Sequence, residues 1–206
     1  MLQRELIYGT GNPSKLKSMR RALAPLGITV IGVRELGIPL PEVDESGNTP
    51  LENARIKALA YFDVLQRPVF SCDSGLYVDG LPDAEQPGVH IRMVNGRRLD
   101  DDELLQHFIA LAWRLGGRAK ARYLNGICVV MSATEIYEHF GEDISGNVFY
   151  LVTTPHQRRE EGFPLDSISV DIASGSYYYD SVRPEGDVGI AEMGFRAYFR
   201  SILDSI

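Results

Sequence analysis

The chain opens on a short apolar run, Leu6-Ile7-Tyr8, that stops at Gly9-Thr10-Gly11, after which Leu16, Met19, Leu23 and Leu26 recur at helical spacing. Asn12 suits the cap of that helix and Pro13 its first position, where a missing N–H costs nothing. Ile28-Thr29-Val30-Ile31-Gly32-Val33 reads as the next strand. A β-α-β start of this kind implies a crossover and a parallel pair. From Arg34 to Asn48, Pro39, Pro41 and the acids Glu42, Asp44 and Glu45 predict an exposed loop. Thr49-Pro50-Leu51-Glu52 has the form of a capping box with proline in the first turn, opening a helix that carries Ala54, Ala58, Tyr61, Phe62 and Leu65.

Pro68-Val69-Phe70 then reads as the close of a buried strand that ends in Asp73, Ser74 and Gly75. A glycine there permits a sharp turn, so Asp73 and Ser74 are expected to emerge at a sheet edge, where α/β proteins place their ligands. Leu81 to Gly96 holds prolines and glycines and is predicted irregular, able to wall a cleft. Asp100, Asp101 and Asp102 favour a helix N-terminus, followed by an apolar stripe of Leu104, Leu105, Phe108, Leu111, Ala112 and Leu115. Ala119 to Met131, Ile136 to Phe140 and Asn147 to Thr153 read as successive strands, with Ser132-Ala133-Thr134 turning the first hairpin. Gln157 to Glu161 is a polar loop, Ile168 to Ile172 alternates as a half-buried strand, and Tyr177-Tyr178-Tyr179 is read as its continuation. Ile190 to Ile206 has near-helical spacing.

With 206 residues, 44% of them apolar, the chain can build one substantial core or two packed lobes, and it is read here as a single domain, 1–206. A net charge of −7 argues against a non-specific nucleic-acid binder, which gains affinity by neutralising phosphates. It does not exclude a triphosphate ligand that brings a divalent cation. Cys72 and Cys128 make neither a disulfide framework nor a metal-ligand spacing, and no apolar run approaches the ~20 residues of a membrane helix. A cytoplasmic protein with no membrane partner is expected.

The candidate chemistry lies in three places. Thr10 to Lys15 combines a helix N-terminus with a lysine in its first turn and so suits a phosphate, although the Walker spacing is absent. Glu45 and Asp73 are hard oxygen ligands of the kind Mg²⁺ takes. Lys57 sits inside the second helix. Taken singly each is ordinary: a capped helix start, a solvated loop acid, a turn aspartate and a surface lysine. His90, His107, His139 and His156 have no zinc spacing, and Gly-x-Ser-x-Gly is absent.

In order and spacing, however, these features resemble the inosine triphosphate pyrophosphatase family of non-canonical purine nucleoside triphosphate pyrophosphatases. The resemblance rests on Thr10-Gly11-Asn12-x-x-Lys15, on Glu45-x-Gly47 leading into Glu52-Asn53-Ala54-x-x-Lys57-Ala58, and on Asp73-Ser74-Gly75-Leu76-x-Val78-Asp79. Pro87-Gly88-Val89, Arg92, Ala121-Arg122-Tyr123 with Cys128, and Gly141-Glu142 with Gly146 follow at compatible distances. It implies an elongated α/β architecture, a long twisted mixed sheet flanked by helices with a cleft between two lobes, and a homodimer. It also implies Mg²⁺-dependent conversion of a nucleoside triphosphate to its monophosphate and pyrophosphate. In that scheme Asp73 activates water and holds the metal together with Glu45. Thr10, Gly11, Asn12, Lys15, Lys57, Ser74 and Arg92 engage the phosphates or sugar.

Three departures stand out. Cys72 replaces the first of the family's two acids, removing a charge beside the metal. The expected Gly-Phe-Gly-Tyr-Asp-Pro is represented by Gly162-Phe163-Pro164-Leu165-Asp166-Ser167, which makes Asp166 the base-pocket aspartate; Asp180, after the tyrosine run, is the other candidate. The Ser-His-Arg triplet expected near the end is missing. The phosphate end of the site is therefore legible and the base end is altered. A family member that binds a nucleotide or phosphometabolite without turnover is the alternative, and a different phosphate ester is a third.

Overall fold

Leu6 and Tyr8 point to one side of the first strand and Ile7 to the other, and all three are buried, so this strand is covered on both faces. In the computed structural model, which describes residues 4–180 and 189–205, that pattern recurs across a mixed α/β fold. The strands are β1 (Arg4–Tyr8), β2 (Ile28–Gly32), β3 (Val69–Val78), β4 (Met93–Val94), β5 (Arg97–Arg98), β6 (Arg118–Val130), β7 (Ile136–Gly141), β8 (Phe149–Val152) and β9 (Ser169–Asp171). The helices are α1 (Pro13–Leu23), α2 (Pro50–Leu65), α3 (Asp101–Arg114) and α4 (Ile190–Ser205), with short 3₁₀ turns between elements. Seven strands form a mixed sheet in the order β2-β1-β3-β6-β8-β9, with β7 also on β6; β4 and β5 make a separate hairpin. The last residue of the predicted C-terminal helix, Ile206, lies outside the described residues.

The chain divides into two compact units. Unit 1 takes Met1–Ser74, Leu124–Gly146 and Val188–Ile206. In it β1 runs parallel to β2, with Leu6 opposite Val30, and parallel to β3, with Ile7 opposite Val69, as the β-α-β start predicts. Met19 and Leu23 of α1 and Phe199 and Ile202 of α4 pack with Leu6, Tyr8 and Phe70 on one face, where Tyr8 stacks on Phe70 at 4.5 Å. Ala54 and Ala58 of α2 pack with Ile7, Val69 and Cys128 on the other. Unit 2 takes Gly75–Tyr123 and Asn147–Asp187. There the predicted stripe of α3, from Leu104 to Leu111, buries itself against Ala119, Ala121, Phe149 and Leu151 of antiparallel β6 and β8.

Two expectations change. Asp73 and Ser74 are not at a turn, because β3 runs straight on to Val78. Gly75 serves a close approach instead: a Cβ there would stand 2.9 Å from the Gly88 carbonyl carbon, in the bridge where Leu76 and Gly88 exchange backbone hydrogen bonds at 2.9 Å. The tyrosine run is not a strand either. Tyr177 makes one bridge to Val170, and Tyr178 to Asp180 then wind into a 3₁₀ turn.

Candidate active site

Strand alternation sorts the site of unit 1. Successive side chains of β3 face opposite ways, so Asp73 meets α2 while Ser74 meets α1. Cys72, on the side of Ser74, is buried in the core beside Tyr8, and burial above all pushes its thiol up to about 11. It stays a neutral core thiol. The lysines and the carboxylate next to it make smaller, opposing contributions.

The helix α2 starts as its sequence predicts: Thr49 Oγ1 accepts from Glu52 N, the Glu52 carboxylate accepts from Thr49 N, and Pro50 follows the cap. One turn in, Asn53 and Lys57 point at Asp73. Lys57 Nζ donates to Asp73 Oδ1 at 3.1 Å and to Glu45 Oε2 at 2.8 Å, joining the acidic loop to the strand. Burial works against the charge of Lys57, but Asp73 and Glu45 together outweigh it and hold its pKa above the ordinary lysine value. Asn53, almost fully buried, accepts from Gly47 N at 2.8 Å and donates from Nδ2 to Asp73 Oδ2 at 3.1 Å. Each oxygen of Asp73 therefore has its own donor.

On the other side, Asn12 caps α1 and takes the backbone N–H groups of Ser14 and Lys15, while Thr10 Oγ1 takes that of Asn12. These amides are satisfied within the turn. An anion here meets mainly side chains: the Thr10 hydroxyl, Asn12 Nδ2 and Lys15, whose ammonium lies 3.4 Å from Ser74 Oγ. The Arg34 guanidinium lies over Gly11, its Nη2 2.6 Å from where a Cβ would be. Arg34 thus adds a cation to the turn that sequence reading missed.

Two asparagines were also missed as site residues. Asn53 stands in the quoted Glu52-Asn53-Ala54 stretch without having been given a role. Asn125 interrupts the apolar run of β6, where asparagine is disfavoured, and that is the signal that could have exposed it. Among the described residues no three His, Cys, Asp or Glu side chains gather as a metal cage. Glu45 and Asp73 instead offer two carboxylates, the donor set of a hard cation that completes its shell with water and phosphate oxygens.

In unit 2 a cavity of about 330 Å³ is lined by His90, Arg92, Arg98, Tyr123 and the Gly162 to Asp166 segment. Arg92 is among the residues lining this cavity. It is paired with Asp101 at 2.6 Å, and together they hold Gly162, whose N–H donates to Asp101 at 2.7 Å and whose carbonyl accepts from Arg92 at 3.3 Å. Leu165 is buried in the core of the unit, and both it and Asp166 line the cavity. Burial, and then the charge of Glu160, push the Asp166 carboxyl above the usual aspartate value. Asp180 pairs instead with His156 at 3.3 Å, and neither is among the residues lining that cavity.

The class defined is an α/β protein that carries a lysine-bridged carboxylate pair and a capped, cation-bearing turn on the two faces of one strand. The chain belongs to the Ham1 family, which it matches over residues 6–173. It is 38% identical over 138 residues to a dITP/XTP pyrophosphatase of Rhodopseudomonas palustris, covering 65% of this chain and 64% of that one. To the dITP/XTP pyrophosphatase of Symbiobacterium thermophilum it is 35% identical over 176 residues, 85% and 82% of the two chains. Alignments with two Bradyrhizobium relatives span only 59% and 60% of their length. A HAM1 protein of Coxiella burnetii, 22% identical, superposes over 98% of this chain and 100% of its own with a TM-score of 0.71. The Staphylococcus aureus Ham1 protein, also 22% identical, covers 98% and 99% with a TM-score of 0.69. These two structures establish the fold.

Proposed function

We propose that this protein is a Mg²⁺-dependent pyrophosphohydrolase that converts non-canonical purine nucleoside triphosphates, ITP, dITP and XTP, to monophosphate and pyrophosphate. The observation that carries it is the convergence of Glu45, Lys57, Asn53 and Asp73 on one face of β3 and of Lys15 and Ser74 on the other. Relatives that this chain resembles are named dITP/XTP pyrophosphatases.

Glu45 and Asp73 would hold the Mg²⁺, which when bound neutralises phosphate charge and favours attack at phosphorus. The chain's own residues do the rest. Asp73 accepts the proton of the attacking water, its carboxylate fixed in plane by Lys57 and Asn53. Thr10, Asn12, Lys15 and Arg34 surround the triphosphate's oxygens and stabilise the charge that develops on the departing pyrophosphate. Gly11 lies beneath the Arg34 guanidinium. Asp166, which when ionised can only accept, takes the N1–H of a 6-oxopurine; adenine has no proton at N1 to give. In this reading Arg92 positions the segment carrying Asp166 instead of touching phosphate, 1–206 acts as one catalytic domain, and the protein is a cytoplasmic homodimer.

The test is pyrophosphate release from ITP, dITP, XTP and the four standard triphosphates, with and without Mg²⁺, beside Asp73→Asn. Turnover of the deaminated purines that needs Mg²⁺ and vanishes in the variant is expected. Folded protein that releases pyrophosphate from none of them would overturn the reading and leave a nucleotide-binding module without turnover.

A further inference from the structure

The hydrogen-bond polarity around Asn125 can be worked out from which groups have protons to give. Asn125 Nδ2 lies 2.8 Å from the Ile144 carbonyl oxygen, which can only accept, so the amide's orientation is fixed. Its Oδ1 then faces Ser74 Oγ at 2.7 Å, and since Oδ1 has no proton, the Ser74 hydroxyl must be the donor. The other neighbour of that hydroxyl is the Lys15 ammonium at 3.4 Å, which can only donate. The single proton of Ser74 is therefore committed to Asn125, and a lone pair faces Lys15.

The frame behind Asn125 is rigid. Its backbone N–H donates to Ser145 Oγ at 3.0 Å, and that hydroxyl donates to the Gly141 carbonyl at 2.5 Å. Ser145 and Ile144 are both buried, and the sheet pairs Asn125 with Gly141 across β6 and β7. Nothing in this frame allows the amide to turn over without placing two acceptors against each other, a loss comparable to leaving a buried polar group unpaired.

We infer that Asn125 is a positioning residue that makes Ser74 a hydrogen-bond acceptor, so that Ser74 acts by aiming the Lys15 ammonium and not by donating to a phosphate. The inference rests on the proposed function only in that Lys15 meets the substrate's phosphates. It assigns a role to a side chain outside the motif stretches and changes the role of Ser74 from ligand to anchor.

The experiment is a set of cycles: Ser74→Ala, Asn125→Ala and Lys15→Met, singly and in pairs, read by KM and kcat for ITP, by calorimetric binding of pyrophosphate, and by Tm. Ser74→Ala and Asn125→Ala are each expected to raise KM about tenfold, as for loss of a hydrogen bond to a charged group, with a smaller effect on kcat. In the Lys15→Met background Ser74→Ala is expected to add nothing, because its effect runs through Lys15. A further loss from Ser74→Ala in that background, or a fall in kcat at unchanged KM, would show Ser74 donating directly to the substrate and overturn the inference. If Asn125→Ala fails to fold, the Ser74–Lys15 cycle decides alone. Pyrophosphate binding that follows the same pattern in an enzyme with no turnover would remove the reaction and keep the inference; no pyrophosphate binding by the wild type would remove both.

Discussion

Asn53 donates to Asp73 Oδ2 while its own carbonyl oxygen is held by the Gly47 N–H, so one buried amide ties the loop of Glu45 to the strand of Asp73. Replacing it with alanine removes both bonds and leaves the Gly47 N–H buried without a partner, a loss of about 2 kcal/mol. Asn53→Ala is expected to lower Tm and to reduce kcat by at least tenfold. Asn53→Asp is expected to be worse in catalysis, because a second carboxylate then faces Asp73 where a donor stood. Steady-state kinetics on the two variants checks the order; equal activities would mean that the amide only packs.

In the proposed scheme Lys57 and Mg²⁺ share the oxygens of Glu45 and Asp73. The Lys57 ammonium is mostly buried between the half-exposed Glu45 and the largely buried Asp73, and removing it leaves the Asp73 carboxylate without its cation. Lys57→Met is therefore expected to lose stability sharply in EDTA and to recover more of it on adding Mg²⁺ than the wild type gains. Thermal melts in both conditions decide it. A Mg²⁺ increment no larger than that of the wild type would argue against Glu45 and Asp73 as the metal carboxylates.

Much of unit 1 was legible because its signals are local. The capping box at Thr49, the Asn12 cap and the apolar run Leu6-Ile7-Tyr8 each specify a backbone state within a few residues, and each appears as read. Gly75 misled because glycine serves turns and close approaches alike, and only the position of Gly88 distinguishes them. Asn53 and Asn125 were passed over for a related reason. An asparagine's role is set by which groups face its two ends, and for Asn125 those groups, Ser74 and Ile144, come from distant parts of the chain. The tyrosine run satisfied strand propensity, yet Tyr178 is packed against Phe149 and the backbone turns there. Propensity yielded to packing.

Asp166 gives unit 2 a pH signature. Its folded-state pKa is raised by burial and by Glu160, so the native state keeps a proton that the unfolded chain has already lost. Stability from this group therefore falls as pH rises from the ordinary aspartate value through the raised one, and is flat above it. Asp166→Asn should flatten that limb of the Tm–pH curve and leave Tm at neutral pH no lower than wild type. If Asp166 also accepts N1–H from the base, the same variant should lose about tenfold of its preference for ITP over ATP. A Tm gain without a change in selectivity would free Asp166 from base reading and return attention to Asp180.

Gly194 connects the C-terminal helix to the site through backbone alone. A Cβ on it would stand 1.8 Å from the Asp143 carbonyl oxygen and 2.9 Å from Ile144 Cα, and neither is the end of a side chain that could swing aside. Glycine to alanine inside a helix normally gains about 1 kcal/mol. Here the overpacking, typically 1–3 kcal/mol, opposes it, and a contact this close puts the cost at the upper end. Gly194→Ala is expected to lower Tm by about 5 °C, as roughly 2 kcal/mol does in a chain of this size. Because the displaced segment carries the Ile144 carbonyl that orients Asn125, the variant should also raise KM for the triphosphate, as Asn125→Ala does. The KM change should disappear in an Asn125→Ala background while the Tm change stays. Persistence of both would mean that α4 reaches the site by another route than the Ile144 carbonyl.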